Sequence, residues 1–338
     1  MSERIGLGFI GAGANTRLRH LPGFAEIDGV ELVTVANRSE ASSSAVAKEF
    51  GIGRVAEDWH SVIADPEVDA VCIGTWPYMH AEMTLAAMSA GKHVLTEARM
   101  ASDLAGAEAM YAMAEASPEL VAQIVPSPFT LEQDRTVVEI LESGQLGELR
   151  EVFIDHSMGA YLDPDAPMNW RQDVRYSGIN MLTMGIYHEV IERWLPDSIE
   201  VLDARGSIFT PERIHWESGE LTPVEIPDCI HVHGQLERGS LLNYHFSGIE
   251  AGPGRNEIKL VGSEATLRLD VGTGELFLSR RRGGAEKVGI PEEERVGWQV
   301  EADFIQSIRE GAPVTLTSFG DGLRYMRFTD AVRRKLSS

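Results

Sequence analysis

The sequence predicts an α/β chain of two domains: a doubly wound parallel sheet first, then an α/β domain containing an open, mostly antiparallel sheet. Three observations carry that expectation. The chain has 338 residues with 43% hydrophobic side chains, enough for two cores of ordinary size. Its first third alternates near-continuous apolar runs with amphipathic stretches, the pattern of parallel strands covered by helices on both faces. After "GELREVFIDHSMG" strand-like runs instead follow one another, separated by turn signals. The expected boundaries are 1–123 for the first domain and 124–338 for the second, with the C-terminal helix free to pack back on the first.

In order, "IGLGFIG" reads as a strand, Arg17 to Phe24 as a helix and "VELVTVANRS" as a second strand. Ala41 to Phe50 is helical by period, "VDAVCIGT" a buried strand, Ala81 to Ala90 a helix and "KHVLTE" a further strand. "LVAQIVP" adds a late strand, and "DRTVVEILESGQLGEL" a helix ending near Gly144 or Gly147. In the second half, "IEVLDARGSIF", "CIHVHGQLERGSLLNYHFSG", "RNEIKLVGSEATLRLDV" and "GELFLSR" read as meandering antiparallel strands. "VEADFIQSIREG" and "DGLRYMRFTDAVRRKL" read as helices, and no internal repeat stands out.

A formal net charge of -22 argues against nucleic acid or an anionic membrane surface as partner. The basic runs "SRRRGG" and "RRKLSS" are short and read as solvated surface. No stretch has the length of a membrane span, and "MSERIGLGFIGAG" lacks a basic segment followed by an apolar one. Cys72 and Cys229 lie far apart in unlike contexts, which predicts no disulfide framework. The expected location is the cytoplasm.

"GFIGAGANT" places Gly11 and Gly13 between a strand and a helix. Such glycines permit a tight turn and close backbone approach to a pyrophosphate held at the helix N-terminus, with Asn15 and Thr16 next in line. Thr16 stands where a third glycine is usual. At the end of the second strand, "ANRS" offers Asn37, Arg38 and Ser39 in place of an acidic ribose ligand. Asn37 does not repel a 2'-phosphate, Arg38 could pair with one and Ser39 could hydrogen-bond it, so NADP is expected ahead of NAD. The bland alternative is a capped turn and a solvated arginine.

With "GFIGAGANT", "TWPYMH", "GKHVLTEARM" and "SGINMLTMGIYHE" in this order, the chain resembles the glucose-fructose oxidoreductase, inositol dehydrogenase and rhizopine-catabolism family. "SGQLGELREV" and "NWR" extend the likeness to nearly the whole chain. The resemblance implies a Rossmann domain, a second domain whose sheet mediates dimers or tetramers, and hydride transfer to or from a sugar or polyol. It places Thr75, Trp76, Pro77 and His80 beside nicotinamide and ribose, and Glu97 at the glutamate of a Glu-Lys-Pro triplet. Here that triplet departs from the family: Ala98 replaces the lysine and Arg99 the proline. In the later motif Thr183 stands at an aspartate position and Tyr187 at a His or Tyr position.

Alcohol oxidation needs a group to take the hydroxyl proton as hydride leaves. Tyr187 can serve, with Thr183 four residues before it on the same helix face. A tyrosine base wants a neighbouring cation, and Arg99 is the candidate, or else a clamp for a substrate carboxylate. His188 is an alternative proton carrier, paired with Glu189 in the structural reading. Trp170 and Arg171 are assigned to the cofactor and substrate cleft, with domain-junction packing as the alternative. His231 and His233 share a strand face at a spacing a metal could use, but no third ligand is evident, so no metal centre is expected. The leading expectation is therefore an NADP-dependent oxidoreductase, NAD being possible, acting on a sugar, polyol or related hydroxy or keto compound as a homodimer or homotetramer. Two alternatives remain at this point: a lyase or glycoside-cleaving enzyme that oxidises its substrate transiently, and an inactive nucleotide-binding sensor or scaffold.

Overall fold

The computed structural model describes residues 4–336; the start of "MSERIGLGFIGAG" and the last two serines of "RRKLSS" lie outside that range. The chain divides into two compact units, one of residues up to Pro126 with Gln299–Met326, the other of Ser127–Trp298 with the residues from Arg327 on.

The first unit contains six strands: β1 (Ile5–Ile10), β2 (Val30–Ala36), β3 (Arg54–Val55), β4 (Ala70–Ile73), β5 (His93–Thr96) and β6 (Ala122–Ile124). They run in the order β3-β2-β1-β4-β5-β6, and every pairing is parallel. Between β1 and β2 the chain is helical from Ala14, passes through a π turn over Thr16–His20 and continues as α1 (Leu21–Ala25). The other crossovers carry α2 (Glu40–Phe50), α3 (Trp59–Ala64), α4 (Pro77–Ser89) and α5 (Leu104–Ala116). Their starts are written in the sequence. Ser39, Asp58 and Asp103 each accept a hydrogen bond from the backbone N–H three residues on, capping α2, α3 and α5. β1 and β4 are buried along their whole length, as a sheet covered on both faces requires.

The second unit starts with α6 (Asp134–Glu142) and β7 (Leu149–Ser157), then a short 3-10 turn at Trp170–Gln172, α7 (Val174–Ser177) and α8 (Met184–Trp194). The remaining strands are β8 (Ile199–Ser207), β9 (Glu212–Ile214), β10 (Leu221–Pro223), β11 (Cys229–Leu236), β12 (Leu241–Ser247), β13 (Asn256–Gly262), β14 (Ala265–Asp270), β15 (Glu275–Arg280) and β16 (Ala285–Val288). Seven of them join β7 in an open sheet in the order β16-β15-β14-β13-β7-β12-β11-β8, and β9 pairs with β10. The expected meander is interrupted at one place. β7 sits between β13 and β12 and runs parallel to β12, because the chain spends α7 and α8 before it returns to the sheet.

Alternation sets the two faces of this sheet. Ile230, Val232, Tyr244, Phe246, Ile258 and Leu260 point into a core shared with Val137 and Ile140 of α6 and Val190, Ile191 and Trp194 of α8. Each such side chain contributes roughly 1.5–3 kcal/mol by burial. His231 and His233 point to the opposite, solvent-facing side.

After β16 the chain returns to the first unit with α9 (Val300–Glu310), where the sequence reading, 124–338 for the second domain, let only the C-terminal helix pack back. The reason is packing: Val300, Phe304 and Ile305 form a buried stripe on α9, with the Phe304 ring 6.3 Å from that of Phe24. The last helix, α10 (Phe319–Leu336), begins in this unit, where the Tyr325 hydroxyl accepts from the Met100 N–H at 2.5 Å. Among the described residues no helix is long and apolar enough to cross a membrane.

Candidate functional site

β1 and β4 lie side by side at the point where strand order reverses, and a crevice opens there beyond their carboxyl ends. This cleft, of about 370 Å³, has Gly11, Ala12, Gly13 and Gly74 as its floor. Asn37, Arg38, Ser39 and Ser42 form one wall, and Thr75, Trp76 and Tyr78 another. The floor depends on glycine. Gly11 has φ +76, and a Cβ on Gly74 would lie 2.2 Å from Thr16 Oγ1 and 2.5 Å from the Gly11 carbonyl. Gly13 is exposed, so bare backbone faces the cleft next to the first turn of the helix, whose amides have no intrahelical carbonyl. A pyrophosphate fits that cradle. Gly74→Ala is expected to cost about 1–3 kcal/mol in urea unfolding, the usual penalty for overpacking, and to weaken nucleotide binding with it.

At the end of β2, Asn37 Oδ1 accepts from the Ala12 N–H at 2.7 Å, and Asn37 Nδ2 donates to Ser42 Oγ at 3.0 Å. The side chain therefore ties the glycine turn to the start of α2. The Arg38 guanidinium lies 4.9 Å from the Trp76 ring centre, across the mouth of the cleft. Seven sequence candidates line the cleft: Gly11, Gly13, Asn37, Arg38, Ser39, Thr75 and Trp76. Ala12, Ser42, Gly74 and Tyr78 join them without having been singled out. Only Ser42 carries a readable signal, since it faces the cap one turn into α2.

Five other cofactor candidates hold the cleft rather than line it. Thr16 is buried against Gly74, filling the helix-to-strand contact a third glycine would make. Pro77 opens α4 in its first turn. His80 is fully buried, its Nδ1 2.8 Å from the Arg99 carbonyl and its Nε2 2.9 Å from the Thr75 carbonyl, so it braces the two loops that follow β4 and β5. Asn15 donates to Glu97 Oε1 at 2.6 Å. Glu97 also lies 3.2 Å from His20 Nε2, while His20 Nδ1 lies 2.5 Å from Glu301 Oε1.

His20 and Glu301 carried no signal in the sequence, being 281 residues apart. Burial alone would lower the His20 pKa, but hydrogen bonds to Glu301 and Glu97 outweigh it and raise it from 6.5 to about 9. A raised pKa of this kind contributes stability that is fully present below the unfolded value and lost as pH climbs through the folded one. The expected result is a fall in unfolding free energy on the order of 3 kcal/mol between about pH 6 and pH 10. In urea titrations His20→Gln should be less stable at the acid end and lack that slope.

Ala98 follows Glu97 in the first unit, and Arg99 beside it is 3% exposed. Tyr187 belongs to the second unit, on α8. Its hydroxyl donates to Asn256 Oδ1 and lies 3.0 Å from His156 Nδ1, and His156 and Asn256 are themselves a cross-strand pair on β7 and β13. Burial holds this hydroxyl well above the usual tyrosine range, with only the Asn256 bond opposing. The tyrosine is 0% exposed, so a substrate oxygen reaches it only where the surrounding side chains part. His156 Nε2 is buried with no hydrogen-bond partner among the described residues. Sequence reading missed both His156 and Asn256, since partners from two strands converge on one helix only in the folded sheet.

Thr183 is the N-cap residue of α8, and its Oγ1 is buried with no hydrogen-bond partner among the described residues. His188 takes a packing role. Its ring stacks on Phe328 at 3.5 Å, its Nδ1 lies 3.0 Å from the Tyr244 hydroxyl and its Nε2 3.4 Å from Glu192. Glu189 pairs with Arg193 at 2.8 Å rather than with His188. Trp170 and Arg171 also belong to the second unit, where Asn169 caps their turn and the guanidinium lies 4.3 Å from the indole centre.

Comparison with known proteins agrees with this geometry. The family described as "Oxidoreductase family, NAD-binding Rossmann fold" matches residues 5–123, and the "GFO/IDH/MocA C-terminal domain" matches residues 135–268. An uncharacterized oxidoreductase of Rhizobium meliloti is 28% identical over 220 residues, which span 63% of each chain. Levoglucosan dehydrogenase of Pseudarthrobacter phenanthrenivorans is 24% identical over 374 aligned positions, covering 97% of this chain and 94% of that one. The crystal structure of an oxidoreductase domain protein from Kribbella flavida superposes with a TM-score of 0.89 at 22% identity, covering 99% of this chain and 97% of that one. With both of its domains matched, the chain belongs to the GFO/IDH/MocA oxidoreductase family.

Proposed function

We propose that this chain is an NADP-dependent oxidoreductase that moves hydride between nicotinamide and a hydroxyl or keto carbon of a sugar, polyol or related compound. The observation that carries the reading is the cleft wall at the end of β2. It holds a cation, two hydroxyls and an uncharged amide where an NAD-selective site carries a carboxylate. The dinucleotide, when bound, supplies the hydride chemistry. Gly11, Gly13 and the first helical turn would hold its pyrophosphate, and Arg38, Ser39 and Ser42 would take the 2'-phosphate. The substrate class is supported by the likeness to levoglucosan dehydrogenase, a sugar oxidoreductase by name.

Proton transfer is assigned to Tyr187 together with His156. Rotation about one C–O bond turns the Tyr187 proton from Asn256 to His156 Nδ1, so the hydroxyl accepts a substrate proton while passing its own to the imidazole. That relay needs no tyrosinate, in keeping with a hydroxyl whose pKa is raised by burial. Thr183 Oγ1, with no hydrogen-bond partner among the described residues, is the natural donor to a second substrate oxygen. The proposal includes a cytoplasmic homodimer or homotetramer, and two free thiols suit a reducing compartment.

The test is a titration of the purified chain with NADPH and, separately, NADH, following nicotinamide fluorescence. The expected result is NADPH binding at least about tenfold tighter, a difference of about 1.4 kcal/mol. If neither nucleotide binds, the oxidoreductase reading fails. Incubation with sugars should then change nicotinamide absorbance stoichiometrically. Product formed without net change would indicate transient oxidation with return of the hydride.

A further inference from the structure

On the face of the second unit's sheet that turns away from its core, the geometry points to a site for one zinc-like divalent ion built from Cys229, His231 and His245, far in character from the nucleotide chemistry and independent of it. The two β11 residues lie two apart and so share a face, and His245 of β12 is the cross-strand partner of His231. One ligand atom from each of the three lies within 4.8 Å of the others. Cys229 Sγ is 3.7 Å from His245 Nε2. A tetrahedral zinc with Zn–S of about 2.3 Å and Zn–N of about 2.05 Å sets sulfur and nitrogen about 3.6 Å apart, so this pair already stands at the spacing an ion would impose.

The surroundings prepare His245 for the task. Its Nδ1 donates to Asp155 Oδ1 at 2.8 Å, which fixes the tautomer and leaves the Nε2 lone pair facing Cys229. Asp155 is in turn held by Arg255 at 2.6 Å through its other oxygen. A carboxylate behind a histidine is the arrangement that orients metal-bound imidazoles and strengthens them as ligands. His231 stacks beside His245 with ring centres 4.5 Å apart. His233, the partner that strand spacing alone suggested, turns to Asn243 Oδ1 at 3.0 Å and is not part of the set. Binding forms a metal–sulfur bond, releases the thiol proton to solvent and leaves a fourth position for water. Soft sulfur with two imidazoles selects zinc or cobalt over magnesium or calcium.

The experiment is a titration of the full-length, reduced protein with Co²⁺, read by electronic absorption. The expected result is one equivalent bound, with a thiolate-to-cobalt charge-transfer band and the strong visible bands of tetrahedral cobalt, both displaced by Zn²⁺. Cys229→Ser should remove the charge-transfer band, and His245→Gln and Asp155→Asn should each weaken binding at least about tenfold. His233→Gln should leave the titration unchanged, and NADPH binding by each variant shows that it is folded. No charge-transfer band in the wild type overturns the proposal. So does a titration of Cys229→Ser that superimposes on the wild type, since that is ordinary binding to surface histidines.

Discussion

Tyr187→Phe is expected to lower kcat by about two to four orders of magnitude, the usual worth of a positioned acid or base, with NADPH affinity unchanged. The argument rests on where the hydroxyl sits. It bridges His156 and Asn256 at a buried position, and phenylalanine keeps the ring contacts with Phe129 and Phe246 while removing the hydroxyl proton. A purely structural tyrosine would behave differently. Its loss would leave Asn256 and His156 underpaired and cost about 1–3 kcal/mol of stability, yet the surviving folded enzyme would turn over normally. Thermal unfolding and kcat measured on the same preparation separate the two roles, and unchanged kcat would sink the relay. His156 supplies a second check. Burial holds its pKa below the ordinary 6.5, and only the neutral ring can accept a proton. Oxidation should therefore fail in acid along a limb below about pH 6.5, and His156→Gln should remove that limb.

Arg38→Ala should weaken NADPH binding by about ten- to a hundredfold and leave NADH nearly untouched, because it removes charge-assisted hydrogen bonds worth about 1.5–3 kcal/mol. The side chain is exposed and rests over Trp76, so its loss disturbs no core and the whole effect should appear in affinity. The effect should also shrink as ionic strength rises. Asn37→Asp is the complementary change. A carboxylate can still accept from the Ala12 N–H, so the turn survives, but it repels a 2'-phosphate and welcomes a ribose hydroxyl. Preference should swing toward NADH. Equal NADPH and NADH affinity in the wild type would show instead that Arg38 is a solvated loop charge.

The two variants differ in how visible their reasons were beforehand. Arg38, Asn37 and Ser39 were legible as one side of a cleft because a parallel strand ending at a helix cap is a local event, encoded in consecutive residues. The same holds for the glycine turn and for the caps at Ser39, Asp58 and Asp103. His80, Thr16 and Asn15 were read as cofactor ligands from their place in the motif. Folding shows each turned inward, bracing loops or holding Glu97, since a motif names a position but not the direction of a side chain.

Long-range convergence lies further out of reach. The buried His20 ion cluster joins residues from three distant segments, and α9 returns to the first unit only because its apolar stripe meets Phe24. His188 looked as free for chemistry as Tyr187, one residue away. Tertiary packing sent one ring against Phe328 and the other to a pair of polar partners on β7 and β13. The sequence by itself determined the fold class, the nucleotide cleft and the family, because periodicity, glycine turns and caps act within a few residues. Only the tertiary structure decided which side chains line the cleft, which brace the fold and which three residues of the sheet bring ligand atoms together. Those outcomes depend on contacts between segments that are neighbours in space and strangers in sequence.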